Sequence, residues 1–207
     1  MVWKKRLIKL YVPLEAELKV NVVSADLAVS DLIGERLEVA SVSGDIDISD
    51  AVPQALEAKS VSGDVYVEGG GQRESSLASV SGDVDADELR GRVSAESVSG
   101  DVTLEAMDVS DLQVESVSGD LDLIITPMDR ATLELSTHSG DIDLALPDGT
   151  QMDLEASSFS GDMSNAFGGE VMERVGPGEE MEFRSGNGGV RIKAQTFSGE
   201  LMIERQY

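Results

Sequence analysis

The chain has 207 residues, of which 41% are apolar but only 4% aromatic, with a formal net charge of −24 and no cysteine. The length suits one large or two small domains around an aliphatic core. The charge argues against nucleic acid and anionic membrane surfaces, which need clustered Lys and Arg, and the missing cysteines exclude disulfides, thiolate metal sites and a cysteine nucleophile. Such a surface stays soluble by self-repulsion and attracts cations and basic partners.

Residues 1–20 open with "MVWKKRLIKLYVP", which is basic but carries no uninterrupted apolar stretch. It lacks the roughly 18–20 apolar residues of a membrane span and the small-residue cleavage site of a signal peptide. It predicts a lead-in strand or N-terminal cap, no transmembrane segment, and a cytoplasmic location if the chain is complete.

Residues 21–165 are periodic. "SVSGD" recurs from Ser41, Ser60, Ser79, Ser97 and Ser116, so that Gly44, Gly63, Gly82, Gly100 and Gly119 are spaced 19, 19, 18 and 19 apart. "THSGD" and "SFSGD" place Gly140 and Gly161 at two further steps of 21, "TFSGE" places Gly199 38 beyond that, and "VVSAD" puts Ala25 19 before Gly44. Before each glycine come pairs such as Leu37 and Val39 or Leu112 and Val114; after it come pairs such as Ile46 and Ile48 or Leu121 and Leu123. Apolar and polar residues alternate with the period of a strand that has one buried face, and many are β-branched. Short strands joined by corners at a fixed period predict an all-β, single-stranded parallel β-solenoid (β-helix) in one domain, with about nine to ten stacked coils of about 19 residues. Residues 166–189 break the period with an irregular Gly-rich insertion, read as a widened coil with a protruding loop or hairpin. Residues 190–207 form the last coil in sequence.

Within the corner, both serines are expected to point inward as a hydroxyl column, the glycine to take the bend, and the aspartate to lie outside and accept corner N–H groups. The intervening residue is then Val42, Val61, Val80, Val98, Val117, His138, Phe159 or Phe197. These side chains either fill a corner of the core or form an outward stripe; a close-packed column tolerates such volume changes badly, which favours the stripe, a candidate interaction surface. Asp45, Asp64, Asp83, Asp101, Asp120, Asp141 and Asp162 form a second column. Like charges at strand spacing repel, so cations bridge them or water and backbone donors solvate them. Calcium would accept such oxygens, but the motif and period differ from those of the glycine-rich nonapeptide calcium repeats.

Catalysis is not expected. The one histidine, His138, sits in the valine column, and the repeated aspartates lack the unlike environments that separate an acid from a base. No phosphate loop, metal-ligand spacing or nucleophile elbow is present, and no cofactor is implied.

Strand, "SxSGD", strand, repeated from about Leu7 to Ile203, resembles the adhesin-like family of SGD-type β-strand repeat domains of bacteria and archaea, catalogued largely as domains of unknown function. The resemblance implies a right-handed β-solenoid, often at the cell surface and sometimes linked to envelope stress, without catalytic residues. Two functions follow. One is a binding module that meets a protein or cell-envelope component. The other is a structural polymer: "FSGELMIERQY" ends on a core strand, so Leu201 and Ile203 would be exposed for head-to-tail self-association.

Overall fold

The computed structural model describes residues 8–173 and 178–206. In chain order the strands are β1 (Leu18–Val22), β2 (Leu27–Ser30), β3 (Arg36–Ser43), β4 (Ile46–Ser49), β5 (Ala55–Ser62) and β6 (Val65–Glu68). Next come β7 (Glu74–Ser79) and three long strands that bend around the coil, β8 (Val84–Ser99), β9 (Val102–Ser118) and β10 (Leu121–Ser139). The rest are β11 (Ile142–Pro147), β12 (Met152–Ser160), β13 (Met163–Asn165), β14 (Glu170–Glu173), β15 (Glu179–Arg184), β16 (Val190–Ser198) and β17 (Leu201–Gln206).

These strands build a parallel β-solenoid, with about seven turns at the 19-residue spacing. On the side before the corner, β1, β3, β5, β7 and then β8, β9 and β10 pair in parallel register. On the side after it, β2, β4 and β6 run into β8, β9, β10 and β11. Register joins equivalents: Leu37 faces Leu56, and Leu121 faces both Val102 and Ile142. Alternate residues therefore stack into the buried columns that form the core, including Val39, Ile46, Val65, Leu112, Leu121 and Ile142.

Stack order departs from chain order at the far end. β16 pairs with β10 on one edge and β12 on the other, and β17 lies between β11 and β13. The coil of residues 190–206 is thus threaded between the coils of Gly140 and Gly161. Leu201 and Ile203 are 1% exposed, sandwiched between strands. This corrects the expectation that they form an exposed end: the chain returns into the stack, so they are core.

The Gly-rich segment supplies the end instead. β15 pairs antiparallel with β12, and β14 antiparallel with β15. Met181 opposes Ala156 and is buried, while Phe167 and Phe183 pack against the core and the Arg205 guanidinium lies 5.1 Å from the Phe167 ring centre. The expected hairpin is a cover over the last rung, which is where apolar columns and unpaired strand groups need one.

A second corner follows β2, β4 and β6, where Asp31, Asp50, Gly69 and Glu88 stack at positive φ, with φ 58, 52, 149 and 61. Aspartate and glycine suit that conformation.

The first corner is glycine because of its neighbour. A Cβ on Gly100 would lie 2.3 Å from the Gly82 carbonyl oxygen, and one on Gly119 2.1 Å from that of Gly100. Gly100 itself is not in a left-handed conformation, so space rather than φ is limiting there. Ala25 is tolerated at the start of the series because, among the described residues, no corner lies beneath it. Gly100→Ala is therefore expected to destabilise the fold by ~1–3 kcal/mol or more, since backbone rather than a yielding side chain blocks the methyl group. Ala25→Gly should cost less than ~1 kcal/mol. Urea unfolding of the two variants checks this; equal midpoints would contradict it.

Candidate functional site

The corner carries four parallel features. The first serine points inward: Ser41, Ser60, Ser79, Ser97 and Ser116 are buried, as are Thr137, Ser158 and Thr196 at the equivalent positions. Hydroxyls of Ser79, Thr137 and Thr196 donate to the carbonyls of Gly63, Gly119 and Gly140, in the preceding rung, at 3.0, 3.4 and 3.2 Å. The second serine, exemplified by Ser43 and Ser118, is exposed. The expectation that both point inward is corrected: the corner begins at the second serine, so strand alternation no longer governs it.

The aspartates form a ladder. Oδ1 of Asp45 accepts the backbone N–H of Asp64, Asp64 that of Asp83, Asp83 that of Asp101, and Asp101 that of Asp120, at 3.1, 2.9, 2.9 and 2.9 Å. Asp120 continues to Asp141 at 2.8 Å, and Asp141 to Glu200 rather than Asp162, at 2.7 Å, because the threaded coil intervenes. Each carboxylate thus has an amide donor in the rung above, a charge-assisted bond that offsets part of the like-charge repulsion. Asp64 is engaged twice, since its Oδ2 accepts the Tyr66 hydroxyl at 3.1 Å. Among the described residues, no three His, Asp or Glu side chains gather closely enough to hold a metal ion.

The intervening residues point outward. Val42, Val61, Val80, Val98, Val117, Phe159 and Phe197 are between 44% and 48% exposed, and His138 is exposed with them. In stack order the five valines are followed by His138, Phe197 and Phe159. The His138 and Phe197 rings stack with centroids 4.8 Å apart, and Phe197 stacks on Phe159 at 4.6 Å. These distances are the strand spacing of a sheet, so the backbone sets the ring stack. Chain order hides this arrangement, because Phe197 comes last in sequence and middle in space.

Two grooves run beside the valines, of about 330 and 480 Å³, and share Lys59, Ser60 and Val61, so they form one channel. Glu96 and Glu115 line its far wall. Across the valines lies the aspartate ladder. The face is therefore an apolar ridge with the aspartate ladder on one side and, on the other, a channel whose wall carries Lys59, Ala78, Glu96, Glu115 and Ser136. Near its start Lys59 pairs with Glu57 at 2.7 Å, and Arg36 with Glu57 at 2.9 Å. The Lys59 ammonium, bonded to that carboxylate, holds Glu57 below the usual carboxylate value.

On the adjoining side, Asp87, Glu105, Asp122, Asp143 and Glu204 surround a groove of about 430 Å³. Burial, followed by the charges of Asp122, Glu204, Asp141 and Asp120, pushes the Asp143 carboxyl above its ordinary value. The same causes, burial first and then Asp87 and Asp83, raise Asp85. A carboxyl with a raised folded pKa binds its proton more tightly folded than unfolded. Its contribution is fully present below the unfolded value and is lost as pH rises through the folded one. Asp143→Asn should therefore raise the thermal midpoint at neutral pH. The advantage should vanish once pH falls below about 3.9, the ordinary Asp value. A pH series of melting curves checks this; an advantage that grows on acidification would contradict it.

Among the described residues, no helix is long and apolar enough to cross a membrane. No curated protein and no solved structure matched the chain. One family model did, that of Toastrack DUF4097, over residues 1–136 and again over 99–204. The two matches overlap on the central coils, as expected when one repeat unit can be aligned at more than one position. Parallel stacking, the repeated corner and these matches agree, and the chain belongs to the Toastrack DUF4097 family of β-solenoid repeat domains of unknown function.

Proposed function

We propose that the protein is a non-enzymatic binding scaffold whose valine–aromatic stripe docks a protein or cell-envelope component, in the manner of an adhesin. The stripe carries the reading: five valines, a histidine and two phenylalanines lie in one exposed line along the rod. Soluble proteins rarely keep such a continuous apolar line bare unless it meets something. The aspartate ladder, with Glu96 and Glu115 across the valines, adds selectivity, since these carboxylates favour a partner carrying basic groups and repel acidic ones. We further read the solenoid as right-handed, with nine to ten coils including the threaded one, and the site of action as the cell surface or envelope.

A photo-crosslinking residue at position 98, in the stripe, should give a defined adduct in cells. The same residue at position 124, on the acidic groove of the other side, should not. Val80→Lys beside the first probe should reduce the adduct at least about tenfold, the effect of some 1.4 kcal/mol on binding. Equal labelling from both positions, or none from position 98, would contradict the proposal.

A further inference from the structure

The charges of this chain are segregated in a way that names an occupant for the stripe. Lys4, Lys5, Arg6 and Lys9 are four of its 16 basic residues, and none of its 40 acidic residues precedes Glu15. The remainder carries 12 basic residues against 40 acidic ones. The basic segment is also apolar, with Trp3, Leu7, Ile8, Leu10, Tyr11 and Val12. Where described, its apolar side chains stand in solvent: Ile8 and Tyr11 are both 88% exposed.

The described end of the segment joins the body of the fold at a turn. Pro13 to Ala16 make a turn in which the Ala16 amide donates to the Pro13 carbonyl at 3.1 Å, and the Leu14 carbonyl accepts the Ile33 amide at 2.8 Å. That attachment lies on the coil's third side, away from the valine corner. We propose that the stripe of one copy receives the basic apolar segment of residues 2–12 from a second copy. Apolar side chains of the segment lie on the Val42–Val117 ridge and the His138, Phe197 and Phe159 stack, while its lysines and arginine meet Glu96 and Glu115 on one side and the aspartate ladder on the other. Lengths agree: eight rungs at strand spacing span about 34 Å, and eleven extended residues reach about 36 Å. Electrostatic attraction speeds such an encounter, and apolar burial holds it. The inference rests on the preceding reading that the stripe is a binding face.

Trp3 is the single tryptophan of the chain and sits in the segment, so its fluorescence reports docking. With the full chain taken from micromolar to millimolar concentration, Trp3 emission should shift to shorter wavelength in step with a rise in sedimentation coefficient. The triple variant Lys4→Glu, Lys5→Glu, Arg6→Glu should lose both changes, as should Val80→Lys with Val98→Lys. Each loss should amount to at least about a tenfold weaker apparent association. Circular dichroism and an unchanged unfolding midpoint establish that the variants are folded. The inference is overturned if the wild type stays monomeric with an unmoved Trp3. It is also overturned if the triple variant still associates, or if Trp3 responds only to vesicles of anionic lipid. Association lost by the valine variant but kept by the triple variant removes the segment and leaves the stripe; association kept by both removes both. If the wild type never associates, crosslinking from position 98 decides the stripe alone.

Discussion

Everything in this molecule depends on the contact of one corner glycine with the next. The carbonyl of each corner lies where a Cβ of the following corner would stand, 2.1–2.4 Å away along the whole series from Gly44 to Gly199. That closeness forbids any side chain, and it locks successive coils into the same phase. Once the corners coincide, every other position repeats above itself. Aliphatic residues stack into a dry core, the hydroxyls of Ser79, Thr137, Ser158 and Thr196 reach the glycine carbonyl of the neighbouring rung, and the aspartates from Asp45 to Asp141 reach the amide of the next rung. Acidity is accommodated by the same device, because the carboxylates that repel one another also accept backbone N–H groups.

Function inherits this regularity. An outward residue in a stacked corner cannot stand alone; it becomes a line. Valine at five corners gives a ridge, and the three bulkier residues give a ring stack at the spacing of the strands. The aspartate ladder flanks the line because the repeat places an acidic residue three positions after it; on the other side the position two before it varies, and is glutamate at Glu96 and Glu115. A face of this kind presents a pattern and a length rather than a single point.

Much of this was legible in the sequence. The period in glycine gave the solenoid, the alternation gave the core columns, and the volume changes at His138, Phe159 and Phe197 pointed outward. Two features were not legible, each for a physical reason. Strand alternation extended through Ser118 points the second serine inward, but alternation ends where the chain leaves the strand. The threaded coil was hidden because spacing along the chain fixes which corner a residue belongs to, not which corner lies next to it. Gly199 fits equally well above Gly140 or beyond Gly161, and only strand pairing chooses. With that choice went the exposed Leu201 and Ile203, and with it came the order of the aromatic stack. The basic segment before Glu15 was visible as composition alone.

Insertion of the last coil tests the corner-stacking account most directly, since there the stacking of the corners departs from their order in the chain. The chain has no cysteine, so paired cysteines can be introduced without competition. Ser139 and Ser198 are register partners, and so are Ser198 and Ser160, which leaves Ser139 and Ser160 two rungs apart. Two rungs are about 9.6 Å, beyond the ~7 Å that a disulfide tolerates. The account predicts rapid oxidation of Ser139→Cys with Ser198→Cys and none of Ser139→Cys with Ser160→Cys; a disulfide in the second pair and not the first would contradict it.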